Sequence, residues 1–207
     1  MIKKEYKIEY FLIISFIFIL YTNNFYSFEE TLLFGGSDGR FYIQISKYAP
    51  YSAEDIDYIK GERFFFPYLI GIFSNIFNLD NFITYQVLSV ILCIVFIYLL
   101  NQIFKNLEIS ENIRFISFCI VLFNPYLLRF FISIPTLLLD VIFLISTQLV
   151  ILSFLKKKKY LFILGLVISV LSRQNGIFIL VSLFVTKFIY KKNFIFTNKD
   201  FFVYFGI

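Results

Sequence analysis

Two short stretches hold most of the side chains in this chain that could do chemistry. The first reads Gly35-Gly36-Ser37-Asp38-Gly39-Arg40-Phe41-Tyr42 and the second Gly61-Glu62-Arg63-Phe64-Phe65-Phe66-Pro67-Tyr68-Leu69-Ile70. Asp38 is a candidate general base, because a carboxylate partly desolvated at a membrane interface has its pKa raised into a useful range. The flanking glycines allow unusual backbone angles and close approach of a ligand. The same residues also make an ordinary turn, and Asp38 can equally cap a short surface helix, since Tyr42, Ile45 and Ala49 follow at roughly helical spacing. Arg40, Tyr42 and Glu62 accompany these motifs as further site candidates. Arg63 carries the planar guanidinium suited to a lipid phosphate or pyrophosphate, although a lone Arg at headgroup level is also an ordinary snorkelling anchor. Arg173 interrupts an apolar run in Ser172-Arg173-Gln174-Asn175-Gly176. An Arg at mid-span costs about 2.5–3.5 kcal/mol on insertion scales, so such a residue faces a polar cavity or the interface. Gln174 and Asn175 share its turn. Arg129 and Asp140 raise the same argument and can pair with each other, whereas Glu54, Asp55 and Asp57 read as a solvated acidic patch.

The composition sets the solvent in which these groups act. Apolar residues make up 59% of the 207 and charged residues 16%, against roughly 25% charged in ordinary soluble domains. Mean hydropathy is +0.81, and the apolar residues come in long runs, so the lipid bilayer is the expected surroundings. The chain has no His, which removes the commonest general base and metal ligand. Cys93 and Cys119 fall inside apolar runs and read as small core hydrophobes. The net charge of +5 comes from lysines at the ends of apolar runs. That is a membrane-topology signal rather than a nucleic-acid surface, and no nucleic acid is expected as a partner. No Gly-x-Gly-x-x-Gly or Walker pattern is present, so no nucleotide-binding loop is expected.

The runs predict an all-α, polytopic transmembrane bundle. Apolar stretches cover about residues 8–28, 83–104, 113–134, 136–155, 160–173 and 176–190, giving about six spans. Residues 201–207 begin a seventh run and stop, so residues 1–207 read as one transmembrane domain that is incomplete at its C-terminus. No small-residue cleavage site follows the first run, so it reads as an uncleaved anchor. Residues 29–82 form an outer loop with juxtamembrane helices. Within it, residues 64–79 are short, carry Pro67, Gly71, Asn75 and Asn78, and suit an interfacial or re-entrant helix. With the N-terminus inside and 64–79 not crossing, 13 of the 19 Lys and Arg lie inside: Lys3, Lys4, Lys7, Lys105, Arg114, Lys156 to Lys159, Lys187, Lys191, Lys192 and Lys199. If 64–79 crosses with the N-terminus still inside, the count falls to 5, against the positive-inside rule. Crossing with the N-terminus outside gives 14, and is set aside because the first span is led by three lysines. The preferred arrangement brings three polar clusters to one face: Asp38 with Arg40 and Tyr42; Arg129 with Asp140; and Arg173 with Gln174 and Asn175.

The order of these motifs resembles a known family. Asp38-Gly39-Arg40-Phe41-Tyr42-Ile43-Gln44-Ile45-Ser46, then Arg63-Phe64-Phe65-Phe66-Pro67-Tyr68-Leu69-Ile70, is similar to the first outer loop of GT-C glycosyltransferases. The nearest type is the second-mannose mannosyltransferase of glycosylphosphatidylinositol assembly and its bacterial relatives. Leu171-Ser172-Arg173-Gln174-Asn175-Gly176-Ile177 resembles their Ser-Arg-x-Asn-Gly turn. Ser46 stands where that pattern has Ala, and the second Pro of its Pro-Leu turn is absent, where Phe66-Pro67-Tyr68-Leu69 stands. The resemblance implies a multi-pass protein of a bacterial inner membrane, active on its outer face. It implies inverting transfer of a sugar from a polyprenyl-phosphate donor to a lipid or glycan acceptor. Asp38 would then act as base or orient the acceptor hydroxyl, and Arg63 and Arg173 would hold the donor phosphate. No cofactor is implied; some members use a divalent metal, for which these residues give no positive sign. The competing readings are a lipid-linked glycan flippase or permease fragment, and a non-catalytic membrane subunit.

Overall fold

The computed structural model describes residues 6–27, 29–31, 36–51, 63–173, 176, 178–179 and 181–182. Every regular element among them is helical. The long helices are α1 (Tyr6–Thr22), α2 (Gly36–Tyr48), α3 (Phe65–Phe77), α4 (Asn81–Asn106), α5 (Glu111–Phe123), α6 (Leu138–Lys156) and α7 (Lys159–Ser172). Between α5 and α6 the chain makes a π-helical turn at Pro125–Arg129, one α-turn at Phe130–Ser133 and a 3₁₀ turn at Pro135–Leu137.

Local chemistry explains the boundaries. Asp80 caps α4, its carboxylate accepting from the N–H groups of Phe82 and Ile83 at 2.8 and 3.1 Å. Asn78 and Lys157 end α3 and α6 in the left-handed conformation, at φ 51° and 52°. Pro125 removes a helical donor and starts a new turn at its first position, with the Asn124 side chain accepting from the Tyr126 N–H. The result is a 41° bend between Glu111–Phe123 and Pro125–Ser133.

Two segments are long and apolar enough to cross a membrane, Asn81–Asn106 and Pro135–Lys156, or three if the bent pair forms one span. The helices α1, α7 and α3, with 17, 14 and 13 residues, are shorter than the roughly 20 residues of a typical crossing. The all-helical reading therefore holds, and the number of spans by this measure is two or three rather than about six. The runs at 176–190 and 201–207 lie almost wholly outside the described residues.

Side-chain contacts fix which helix ends lie together. At one end Lys105 pairs with Glu9 at 2.6 Å, and Arg114 donates to Asn101 at 2.8 Å. These join the start of α1, the end of α4 and the start of α5. At the other end Arg129 donates to Thr22 at 3.0 Å, Ser89 donates to the Phe131 carbonyl at 2.7 Å, and Asp140 pairs with Arg173. The core between the ends is aliphatic and aromatic, built from Phe16 and Ile19 of α1, Cys93 and Ile97 of α4, Phe118 and Leu122 of α5, and Val141 and Ile145 of α6. Helices α6 and α7 pack closely because Gly165 carries no Cβ: one placed there would meet Val150 Cγ2 at 2.8 Å. The outer surface is also apolar, with Ile13, Ile14 and Ile17 of α1 and Phe73, Ile76 and Phe77 of α3 exposed.

The segment 64–79 does not run the length of the bundle. Helices α2 and α3 lie side by side in the same direction, with Tyr42 beside Arg63 and Ala49 beside Asn75. At Asn78 the chain reverses, and Ser74 of α3 donates to Thr84 of α4 at 2.9 Å. The other end of α3 reaches only to Leu88 and Leu92, where Phe66 and Ile70 meet them. Leu92 lies roughly 16 Å along α4 from Asn81, in a helix whose 26 residues extend roughly 39 Å. Helix α3 thus folds back along the first turns of α4, with its starting end beside Leu88 and Leu92.

Candidate functional site

The parallel packing of α2 and α3 brings their starting ends together, and both face the start of α6. Asp38 is in the first turn of α2, Arg63 directly precedes α3, and Asp140 is in the first turn of α6. An acidic residue in a first turn complements the positive end of the helix dipole, so the local sequence suits these positions apart from any chemistry. Arg63 Nη1 lies 3.8 Å from Asp38 Oδ2 and donates to Tyr42 Oη at 3.2 Å. Arg173 follows the last residue of α7 and forms a direct ion pair with Asp140. The charges of Asp38 and Asp140 both act on Arg63 and on Tyr42, so the two ion pairs make one electrostatic site.

Burial differs across the cluster. The Asp38 side chain is 47% exposed, so the desolvation expected of it is only partial. Tyr42 is 5% exposed. Burial pushes its phenol above the ordinary tyrosine range, against the hydrogen bond and positive charge of Arg63. Burial works against the Arg63 cation, but the bond to Tyr42, and the fields of Tyr42, Asp38 and Asp140, more than offset it and raise its pKa. The Nε atoms of Arg63 and Arg173 are buried without an acceptor, so each guanidinium is only partly satisfied.

A buried knot of hydroxyl groups holds this geometry. Ser46 and Tyr85 are fully buried. Ser46 Oγ contacts the Tyr42 carbonyl at 2.9 Å, the Pro67 carbonyl at 2.8 Å and Tyr85 Oη at 2.9 Å, and Tyr85 Oη reaches the Tyr42 carbonyl at 3.2 Å. Three helices, α2, α3 and α4, thus share one hydrogen-bonded centre beneath Tyr42. Two glycines let the backbones come this close. A Cβ on Gly39 would lie 2.7 Å from Thr136 Oγ1, and one on Gly71 would lie 2.1 Å from the Ser46 carbonyl oxygen. Gly39 is an ordinary helical residue, so its value is space rather than an unusual backbone angle. The turn reading of Gly-Ser-Asp-Gly gives way to a helix start at Gly36.

Below the polar cluster lies an apolar groove of about 320 Å³. Its walls come from α3 (Phe66, Ile70, Phe73), α4 (Leu88, Leu92), α6 (Leu138, Ile142, Ile145) and α7 (Ile168). Phe66, Leu138 and Ile168 sit within a turn or two of Arg63, Asp140 and Arg173, so the groove and the ion pairs share an end.

Of the residues singled out from sequence, Asp38, Tyr42, Arg63, Asp140 and Arg173 come together. Arg40 is exposed on α2. Arg129 does not pair with Asp140: it donates to Thr22, and Asp140 takes Arg173 instead. Glu62, Gln174 and Asn175 lie outside the described residues. No group of three or more potential metal ligands occurs among the described residues. Sequence reasoning missed Ser46, Tyr85 and Thr136 as the groups that set the spacing. Ser46 stood out only as a departure from Ala, and Tyr85 carries no signal within an apolar run. No family model, curated protein or solved structure matches the chain.

Proposed function

We propose that this chain is a membrane glycosyltransferase of the GT-C kind, moving a sugar from a polyprenyl-phosphate donor to an acceptor hydroxyl on the outer face. The observation that carries the reading is the junction of an apolar groove with a cluster of two arginines, two carboxylates and a buried tyrosine. An isoprenoid chain is apolar and suits the groove. Its phosphate is anionic and suits Arg63 and Arg173, at a point where α2, α3 and α6 all present their positive ends. Helix α3 opens without a side-chain cap, and the first N–H groups of a helix have no partner within it.

In the proposed reaction the acceptor oxygen attacks the anomeric carbon and the bond from that carbon to the phosphate oxygen breaks, with inversion. The proton of the acceptor hydroxyl passes to Asp38, and the polyprenyl phosphate leaves held by the arginines. Asp38 is half-exposed and points into the cluster beside Arg63, which suits a group that must meet an acceptor arriving from water. The arrangement of ends also supports the topology read from charge. Lys105 and Arg114 gather with the start of α1 at one end and the site lies at the other, an arrangement that suits an N-terminus inside and a site outside.

The test is sugar transfer from a polyprenyl-phosphate sugar by the purified chain. A general base contributes about 10²–10⁴-fold to rate, so Asp38→Asn lowers transfer by that factor with insertion unchanged. Asp80→Asn, which keeps the acceptor that caps α4, leaves transfer as it was. Undiminished transfer by Asp38→Asn removes the catalytic reading and favours a permease or a non-catalytic subunit.

A further inference from the structure

Tyr42 occupies the boundary between the groove and the ion pairs. It belongs to one buried cluster with Ile70, Leu138, Ile142 and Phe66, which line the groove, and its hydroxyl lies at Arg63. Its backbone is fixed, since the Tyr42 carbonyl takes contacts from both Ser46 and Tyr85. Arginine can only donate, so in the bond from Arg63 the phenol oxygen is the acceptor and its own proton is left over. Asp38 and Asp140 act on Tyr42 through charge alone, with no hydrogen bond from it to either. Among the described residues no acceptor takes that proton, although the residue is 95% buried by its 5% exposure. Buried hydroxyl groups ordinarily find a partner, and this hydroxyl lies at the Arg63 guanidinium, whose neighbour Phe66 lines the groove.

We propose that Tyr42 donates its hydroxyl proton to a phosphate oxygen of the lipid-linked ligand, alongside Arg63, and so selects a lipid phosphate over the free lipid alcohol. This rests on the reading of the site as one for a polyprenyl-phosphate ligand. Tyr42 thereby joins the apolar and ionic halves of the site: it is buried in one cluster with residues that line the groove, and its hydroxyl reads the headgroup. A phenol is protonated at neutral pH, the form that can donate, and burial only moves it further that way.

The experiment measures binding of two probes, farnesyl phosphate and farnesol, to the full chain in lipid nanodiscs. Tyr42→Phe keeps the ring and its packing. A hydrogen bond to a charged acceptor is worth about tenfold to a hundredfold in affinity, so Tyr42→Phe weakens farnesyl phosphate by that factor and leaves farnesol unchanged. A merely structural role would move both probes together. In an Arg63→Gln background, Tyr42→Phe weakens farnesyl phosphate again, because the contact is its own. Unchanged affinity in Tyr42→Phe, or no further loss in the Arg63→Gln background, overturns the proposal while leaving the lipid-phosphate reading intact. A wild-type chain that binds farnesol as tightly as farnesyl phosphate overturns both.

Discussion

Replacing Gly71 with alanine tests the contact that sets the spacing of the site. The new Cβ would lie 2.1 Å from the Ser46 carbonyl oxygen and 2.8 Å from Ala49 Cβ, whereas ordinary contact begins near 3.4 Å. One of the clashing atoms is backbone, so the clash cannot be relieved by a side-chain rotation, and α2 and α3 must separate by more than an ångström. Four bonds cross that seam: Ser46 Oγ to the Pro67 carbonyl at 2.8 Å, Asn75 Nδ2 to the Ala49 carbonyl at 2.6 Å, Tyr68 Oη to the Pro50 carbonyl at 2.8 Å, and Arg63 to Tyr42 at 3.2 Å. Overpacking costs about 1–3 kcal/mol, and each hydrogen bond lost adds about 1 kcal/mol. Alanine's better helix propensity returns about 1 kcal/mol. With one of these bonds lost, the expected net loss is about 1–3 kcal/mol in reversible unfolding by denaturing detergent, followed by far-ultraviolet circular dichroism. Gly165→Ala is the control. Its Cβ would meet the Val150 methyl at 2.8 Å and the Ser146 carbonyl oxygen at 2.9 Å, shallower overlaps than the one at Gly71, so the loss is smaller. A Gly71→Ala chain as stable as wild type, or a Gly165→Ala chain destabilised more, would refute the argument that Gly71 is there for space.

The Asp140–Arg173 pair and the separate Arg129–Thr22 contact predict different couplings. A double-mutant cycle of Asp140→Asn with Arg173→Gln should give an interaction of about 0.5–3 kcal/mol, whereas Asp140→Asn with Arg129→Gln should be additive within about 0.5 kcal/mol; the reverse order would restore the Arg129–Asp140 pairing expected from sequence. In a chain with Cys93 and Cys119 replaced by alanine, Tyr51→Cys and Asn78→Cys should label from one side of the membrane and Ser110→Cys from the other. Labelling of Asn78→Cys with Ser110→Cys would make 64–79 a true crossing. Tyr42, buried in the fold, keeps its proton above the ordinary tyrosine range near pH ~10, where the unfolded chain has begun to lose it. The unfolded state then binds fewer protons, so this residue's contribution to stability is intact below pH ~10 and falls as pH rises through the folded value. The tyrosinate difference spectrum between wild type and Tyr42→Phe should accordingly have its midpoint above pH ~10, and a midpoint at or below that value would contradict the burial.

Much of the architecture follows from the order of residues alone. The long apolar runs, the Asp80 cap and the prolines at 125 and 135 set where helices start and break, because capping and ring closure act within one turn of the chain. The charge distribution also anticipated that Asp38, Arg63, Asp140 and Arg173 share an end, since counting helices between them fixes which side each faces once 64–79 is taken not to cross. It did not settle the partners. Asp140 is eleven residues from Arg129 and thirty-three from Arg173, yet pairs with the more distant one. The π-turn at Pro125–Arg129 carries Arg129 to α1, while the antiparallel packing of α6 and α7 brings Arg173 to the start of α6. The roles of Gly39 and Gly71 were likewise settled in three dimensions. In sequence Gly39 reads as backbone freedom and Gly71 as a mark of an interfacial or re-entrant segment, but in the fold both are ordinary helical positions where a neighbouring segment leaves no room for a Cβ. Tyr85 and Ser46 lie within or beside apolar runs, and nothing local marks them. Their hydroxyls matter because three helices meet there away from water, and a buried polar group must find its partner across the interface rather than along the chain.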